Sequence, residues 1–257
     1  MKDVLQHFRK EEEPFIEKVQ DWIFEVNDYY TPKLLDFLNP RERFIVESLV
    51  RQAGLELHTY GGFENAERER VIIAPDYFVP TPADFQIQIS AIKYPEKFAT
   101  IEHRDVLGSM MALGVDRAQF GDIILDGSTI QVAYTKEMDE YIRFTWTEVG
   151  KTSIYLEEVE KEHYLSNQDE WQIALNIVSS LRLDVVVSSM LNISRTNAAK
   201  LIRSERVKVN WKTEPNVASE LQSMDMISIR GYGRFKVFDI EGRTRKDKIR
   251  LNVGKLR

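Results

Sequence analysis

The sequence of 257 residues contains no cysteine, and this absence removes several kinds of chemistry at once. Disulfide bonds, thiolate nucleophiles and cysteine-built zinc or iron–sulfur sites all need that residue. Long apolar runs are also missing, since no stretch reaches the roughly 18 apolar residues of a membrane helix. The charged start MKDVLQHFRKEEEPF is unlike a signal peptide. We therefore expect a cytoplasmic protein that has no contact with a membrane.

Histidine is scarce, and a glycine-rich phosphate or cofactor loop is missing. The four histidines are scattered without metal-ligand spacing, at positions 7, 58, 103 and 163, so we predict neither a metal site nor a cofactor. His103-Arg104-Asp105 has the letters of a protein-kinase catalytic loop, but Met110 stands where that loop needs asparagine. We interpret the tripeptide as a helix N-terminus, and we expect no catalytic residues.

Charge is divided unevenly along the chain, although the net charge is only −6. Residues 180–257 contain 17 Lys+Arg and 8 Asp+Glu, a balance of +9, whereas residues 1–179 contain 18 and 33, a balance of −15. A local positive field of this size attracts polyanions, and an acidic body disfavours indiscriminate coating of nucleic acid. The pattern predicts a basic binding module attached to an acidic body.

Hydrophobic periodicity and turn signals predict an α+β protein of three small domains. The first, residues 1–80, is a helical and α+β domain with three helices before Gly54, two of them starting at Thr31-Pro32 and Asn39-Pro40. The second, residues 81–165, has the order strand–helix–strand–strand–helix–strand of a ferredoxin-like or RRM-like domain. Its strands lack the aromatic signature of base-stacking sheets, so RNA binding there is left open.

The third predicted domain, residues 170–257, packs helices against a small antiparallel sheet. Its helices are expected from about Trp171, over 183–191 and over 194–205, and its strands over 207–211, 226–230 and 234–240.

Basic side chains are concentrated on helix 194–205 and on the strand that follows. Ser194 is placed to cap this helix, and Thr196, Lys200 and Arg203 lie at i, i+4 and i+7 on one outward stripe. The strand alternates, with Val207, Val209 and Trp211 on one face and Arg206, Lys208, Asn210 and Lys212 on the other. Because almost no loop separates helix and strand, we expect one continuous basic surface suited to phosphates.

These residues resemble the S4 domain, an RNA-binding module found on ribosomal proteins, tRNA synthetases and pseudouridine synthases. The resemblance spans about residues 181–240 and rests on three runs and a hairpin: Arg182-Leu183-Asp184, Ser194-Arg195 with Ala198, Val207-Lys208-Val209-Asn210, and Gly231-Tyr232-Gly233. Two positions depart from the family, because Glu205 and Trp211 stand where it commonly has glycine. Glu205 also subtracts positive charge at the helix end.

The first two domains extend the match to a whole family. The segments YGGFENAERERVIIAPDY, residues 60–77, and HRDVLGSMMALGVDRAQFGDIIL, residues 103–125, resemble those of the YlmH family of bacterial S4-domain proteins. The resemblance implies a non-enzymatic protein that binds rRNA, tRNA or both on large ribosomal subunits during ribosome-associated quality control. The RNA-binding residues that we predict on this basis are Arg182, Arg195, Thr196, Lys200, Arg203, Arg206, Lys208, Asn210 and Lys212.

Two alternative functions stay open at this point. The first is an RNA-modifying enzyme of the pseudouridine-synthase type, since those enzymes carry a catalytic aspartate in an Arg-Leu-Asp motif. Here Val185 to Ser189 follow Asp184 without the Thr-Ser-Gly of the catalytic version, so we interpret Asp184 as a capping or ion-pairing residue. The second is a protein-interaction factor that binds a ribosomal or division protein through residues 1–165. Arg182 is a candidate either for RNA or for a pair with Asp184.

Overall fold

The computed structural model describes residues 12–166, 171–244 and 246–256. The chain divides into two compact units, Met1–Asn167 and Gln168–Arg257. The first unit holds the predicted N-terminal and middle domains, and the second holds the basic module. The exact boundaries of the three-domain division stay a prediction. Within the described ranges, no helix is long and apolar enough to cross a membrane.

The first unit begins with two helices on a three-stranded antiparallel sheet. Its elements are α1 (Glu13–Tyr29), β1 (Lys33–Leu38), α2 (Pro40–Gln52), β2 (Glu56–Tyr60) and β3 (Glu69–Ala74), with strand order β1-β3-β2. The expected cap at Asn39 is confirmed, because its side-chain oxygen accepts the N–H groups of Arg41 and Glu42 at 2.9 and 3.0 Å.

The helix predicted to start at Thr31-Pro32 is wrong, since strand β1 begins at Lys33. Proline at the first helical position was a valid local signal, but the apolar run that follows is paired along β3 and buries Leu35, Phe37 and Leu38. Tertiary pairing therefore outweighs the local helix signal. The first of the three helices expected before Gly54 is α1, and residues 1–11 lie outside the described ranges.

The second part of the first unit has the predicted ferredoxin-like order. Its elements are β4 (Ile87–Lys93), α3 (His103–Ala112), β5 (Phe120–Asp126), β6 (Thr129–Thr135), α4 (Asp139–Thr145) and β9 (Tyr155–Glu158), with the small hairpin β7 (Glu148–Val149) and β8 (Thr152–Ser153) before the last strand. The strand order is β5-β6-β4-β9, and every pairing is antiparallel. His103 begins α3, as predicted from the sequence.

One face of this four-stranded sheet is covered by the two helices, and the other face is covered as well. Phe37 and Phe63 from the N-terminal part pack with Ile89, Ile124 and Ala133 of the sheet, all of them buried. At Gly121 an added Cβ would lie 2.7 Å from the Phe37 ring, so the contact needs glycine.

The chain after β9 returns to the same covered face. Gln131 donates to the carbonyl of His163 at 2.8 Å and accepts the N–H of Leu165 at 2.9 Å. Tyr164 and Leu165 pack beside Phe63. The sheet face with which RRM-like domains stack bases is therefore closed by this chain itself.

Two arginines of β3 and the turn before it join the N-terminal and middle parts. Arg68 donates to the carbonyls of Phe37 and Phe120 at 2.6 and 3.1 Å. Arg70 donates to the carbonyls of Leu35 and Gln86, both at 3.0 Å, and its side chain is only 3% exposed. Because each guanidinium binds carbonyls of both parts, the two parts share one hydrogen-bonded interior.

The second unit is a six-stranded antiparallel sheet with two helices. Its elements are β10 (Trp171–Val178), α5 (Leu183–Leu191), α6 (Arg195–Arg203), β11 (Val207–Val209), β12 (Lys212–Thr213), β13 (Met226–Ile229), β14 (Gly233–Arg243) and β15 (Ile249–Leu256). The strand order is β10-β15-β14-β13-β11-β12. The core joins both helices to one sheet face, through Leu183, Val186, Val187, Ala198, Ile202, Val207, Ile227, Phe235, Val237 and Val253.

The helix predicted from Trp171 is wrong, because residues 171–178 form an edge strand paired along β15. The alternation of Trp171, Ile173, Leu175 and Ile177 is a strand signal that the helix interpretation overlooked. Strand β15 was not predicted either, although Ile249, Leu251 and Val253 alternate in the same way and are buried.

We predict that Arg70→Met lowers the free energy of unfolding of the first unit by about 2–4 kcal/mol, because it leaves two carbonyls at the interior without their donor. Amide hydrogen exchange of β1 and β4 in the full chain measures the loss. Arg51→Met is the matched control, since Arg51 is 79% exposed and pairs with Glu47 on the surface of α2. Equal effects of the two substitutions would contradict the joining role of Arg70.

Candidate nucleic-acid interface

Helix α6 carries the predicted outward stripe of basic residues. The hydroxyl of Ser194 accepts the N–H of Asn197 at 3.2 Å, so the predicted N-cap is present. Ala198, Leu201 and Ile202 are buried on one side of the helix. Thr196, Lys200 and Arg203 are exposed on the opposite side, directed away from the sheet.

A buried carboxylate binds two further arginines at the N-termini of α5 and α6. Asp184, in the first turn of α5, is 5% exposed and accepts from Arg182 at 3.1 Å and from Arg195 at 2.6 Å. The arginine side chains stay 38% and 57% exposed, respectively. The arrangement joins the N-termini of α5 and α6 and leaves parts of both guanidinium groups accessible to a ligand.

The charge state of Asp184 follows from the same contacts. Burial by itself would raise the pKa of this carboxyl, but the hydrogen bonds and charges of Arg182 and Arg195 outweigh burial and hold the pKa below its ordinary value. The carboxylate is therefore ionised and paired at neutral pH. The expectation that Asp184 forms an ion pair is borne out by this geometry.

The strand after α6 does not extend the helix stripe as expected. Val207 and Val209 pack in the core under the helices, so the side chain of Lys208 projects from the opposite sheet face. The stripe on α6 and Lys208 therefore lie on different sides of the module. The prediction of one continuous basic surface is wrong in this respect, because the helix packs on the same sheet face that buries the valines.

Three other predicted site residues of this segment have partners within the protein. Arg206 is exposed and donates to the carbonyl of Arg230 at 2.9 Å. Asn210 donates to Asp225 at 2.8 Å and accepts the N–H of Met226 at 2.9 Å, so its side chain fixes the turn beside β13. Lys212 is half-buried in β12. Their roles toward RNA remain predictions.

Two cations outside the predicted set, Arg234 and Lys236, lie on the same sheet face as Lys208. The cross-strand partner of Lys208 is Ser228, and the partner of Ser228 on β14 is Arg234. Lys236 follows two residues later on that face and pairs with Met226. The alternation of residues along β14 indicates that Arg234 and Lys236 share one sheet face. Whether they share the face of Lys208 depends on the register of β14 against β13, which the sequence alone does not give.

Both positions that depart from the S4 pattern have a left-handed backbone. Glu205 has φ 58° and ends α6 in a Schellman motif, in which its N–H donates to the Ile202 carbonyl at 3.0 Å and the N–H of Arg206 donates to Leu201 at 3.1 Å. Asn210 and Trp211 have φ 48° and 64° and form the two-residue turn between β11 and β12. Glycine suits such conformations, so its usual place at 205 and 211 has a structural cause.

Comparison with known proteins finds a family model for each of three successive parts of the chain. Family models match residues 11–78 ("YlmH, N-terminal"), residues 80–163 ("Putative RNA-binding domain in YlmH") and residues 181–227 ("S4 domain"). A protein of Bacillus subtilis (strain 168), the "Ribosome-associated protein quality control protein P2", is 38% identical over 251 residues, which cover 98% of each chain. The solved structure of "Cell division protein ylmH from Streptococcus pneumoniae" is 33% identical with a TM-score of 0.54, covering 62% of this chain and 98% of that one.

We predict that Asp184→Asn lowers the free energy of unfolding of the second unit by about 1–3 kcal/mol at neutral pH, because two arginines lose a charged acceptor. A lowered folded-state pKa means that this stability is present above the ordinary pKa of about 3.9 and is lost as pH falls through the folded value. The difference from the unsubstituted chain should therefore shrink below about pH 4. Hydrogen exchange of the α5 and α6 amides at several pH values tests this. Asp247→Asn is the control, since Asp247 is 80% exposed and pairs with Arg243 on the surface of the same unit.

We predict that Glu205→Gly raises the free energy of unfolding of the second unit by up to about 1 kcal/mol, because glycine adopts the left-handed backbone of position 205 without steric cost. Glu205→Gln keeps the strained backbone and removes the charge alone, so it should give no such gain. Thermal unfolding of the two variants separates the causes. A similar gain in both would mean that charge, and not backbone conformation, limits stability at this position.

Proposed function

The chain belongs to the YlmH family, whose N-terminal, RNA-binding and S4 domains match it from residue 11 to residue 227, and from this we propose a function on the ribosome. The protein binds RNA of ribosomal particles as a non-enzymatic factor. Its targets are large-subunit rRNA, tRNA or both, on particles that carry stalled nascent chains. The name of the Bacillus subtilis relative, a ribosome-associated quality control protein, supports this assignment.

One observation carries the proposal: exposed cations and a hydroxyl on α6 stand next to two arginines held by a buried carboxylate. Lys200 and Arg203 offer charge to phosphates, and Thr196 offers a hydroxyl donor on the same stripe. Arg195 and Arg182 are oriented by Asp184, so less side-chain freedom is lost when they bind phosphate. Such a surface suits the shape and backbone of folded RNA more than its base edges.

The non-enzymatic assignment is supported by the surroundings of Asp184. A catalytic aspartate must reach the reacting base, whereas this carboxylate is buried and accepts from two guanidinium groups. The pseudouridine-synthase alternative would need these pairs to open. An RNA-binding factor needs them closed, because they position the arginines.

The ribosome also gives the expected location, the cytoplasm. The acidic first unit would then face partners other than bare RNA, since residues 1–167 contain 18 Lys+Arg and 31 Asp+Glu, a balance of −13. A protein partner for residues 1–165, ribosomal or of the division machinery, is the second candidate function. The closed sheet face favours it, because the residues of that face are already buried and have no base-stacking role left.

The test is loss of the α6 charges. We predict that Lys200→Gln with Arg203→Gln abolishes co-sedimentation with large ribosomal subunits, because two phosphate contacts are removed. The slope of log affinity against log salt concentration for binding to purified large-subunit RNA should fall by about 1.8, which is 0.9 for each contact. Unchanged sedimentation together with an unchanged slope would refute the proposed interface.

Matched variants distinguish an effect of this site on RNA binding from a general effect of net charge. Lys97→Gln with Lys151→Gln removes the same charge from exposed positions of the first unit and should leave RNA binding unchanged. Lys208→Gln tests the opposite sheet face by itself. Glu205→Gln should act in the other direction and raise RNA affinity, because it removes a negative charge beside the end of α6.

A further inference from the structure

Strand β10 is an eight-residue edge strand without any charged residue or proline. Its sequence is WQIALNIV, and it pairs only with β15 in the six-stranded sheet of the described residues. Edge strands are normally protected from other chains by lysine, proline, bulges or a covering element. The register with β15 is regular over all eight pairs, from Trp171–Leu256 to Val178–Ile249. The outer edge of β10 is therefore a regular template for a further strand.

The sheet face beside this edge is apolar and uncovered. Ile173, Leu175 and Ile177 are 56%, 53% and 50% exposed. The neighbouring Ala174 pairs with the core residue Val253, so these three side chains lie on the face opposite the helices.

Aromatic rings extend the same apolar surface. Trp171 and Phe238 meet edge to face with ring centroids 5.7 Å apart. Gly254 lies between them, and a Cβ there would come within 2.5 Å of the Phe238 ring. Because Gly254 on β15 has no side chain, the two aromatic rings can lie close to the sheet. The apolar surface therefore extends from β10 across β15 to β14.

Two cations lie beside this surface. Arg250 is exposed and is the direct cross-strand partner of Ile177. Lys236 pairs with Gly254, and its Nζ lies 5.4 Å from the centre of the Phe238 ring. Two acidic residues lie farther along the same face, and both carboxylates already accept hydrogen bonds within the protein. Glu241 accepts from Asn252 at 2.6 Å, and Asp239, the cross-strand partner of Asn252, accepts from the N–H of Ile240 at 2.8 Å. A ligand with acidic groups beside apolar ones complements this pattern.

We propose that β10 and its apolar face, the surface formed by Trp171, Ile173, Leu175, Ile177 and Phe238, bind an extended segment of a partner protein. The segment adds a strand to the free edge of β10, inserts alternate apolar side chains beside Leu175 and places acidic side chains near Arg250 and Lys236. Main-chain hydrogen bonds supply affinity in such strand addition, and the side chains of one face supply specificity. This inference is independent of the RNA-binding surface on α6.

Two other occupants fit the surface less well. RNA bases stack on aromatic rings and guanidinium planes, whereas the centre of this face is aliphatic. A second copy of the chain would bring another second unit alongside the first. Since residues 168–257 contain 17 Lys+Arg and 10 Asp+Glu, a balance of +7, like charges would oppose pairing. An acidic apolar segment meets neither objection.

The test uses the full chain and a synthetic ten-residue peptide that has valine at alternate positions and glutamate at both ends. Fluorescence anisotropy of the labelled peptide measures affinity, and amide NMR shifts locate the binding. We expect shifts in β10 and β15, and an affinity about tenfold lower for Leu175→Ser, which removes exposed apolar area without touching the core. Arg250→Gln should also weaken binding.

Control variants and a control peptide test whether binding depends on the proposed surface and on the acidic ends of the peptide. Lys248→Gln removes one exposed cation from the turn before β15, outside the proposed surface, and should leave peptide affinity unchanged. The same peptide with lysine ends should bind more weakly. Equal binding of both peptides, or binding unaffected by Leu175→Ser, would overturn the proposal. So would self-association of the chain, or RNA binding, that Leu175→Ser removes.

Discussion

The basic module depends on one buried ion-pair cluster, in which Asp184 holds Arg182 and Arg195. The cluster lies where two helix N-termini meet, and the first amides of α5 are satisfied nearby by the carbonyls of Ser219 and Val217 at 2.8 and 3.1 Å. A buried charge is tolerated only when it is paired, so the carboxylate of Asp184 requires its two arginines. The orientation of these two arginines and the relative placement of α5 and α6 thus have a common cause.

In the first unit, the sheet face used for base stacking in RNA-recognition domains is covered. Its ferredoxin-like sheet has the strand order of an RNA-recognition domain, yet Phe37, Phe63 and Leu165 occupy the face on which such domains stack bases. Any RNA contact by residues 80–163 must therefore use their helices, loops or edges. Together with the uneven charge, this is why we place the proposed phosphate contacts in the second unit.

Local signals predicted local structure well, and tertiary arrangement less well. Helix α5 and the N-cap Ser194 follow from sequence because capping and periodicity act within a few residues. The start of β1 and the strand at Trp171 were missed, since their strand identity depends on distant partners. Lys33 pairs with Ile73, 40 residues on, and Trp171 pairs with Leu256, 85 residues on. The sheet face on which Lys208 lies, and its position on that face together with Arg234, likewise depend on the register between strands. No single segment of sequence contains that register.

The contact between Phe37 and Gly121 has a consequence for how this protein can be divided. A fragment made of residues 80–163 alone would expose Ile89, Ile124 and Ala133, which the whole chain keeps in an interior shared with Phe37 and Phe63. An apolar sheet face without its cover aggregates in water. The two parts of the first unit therefore share one core, and a cut between residues 80 and 81 would divide that core.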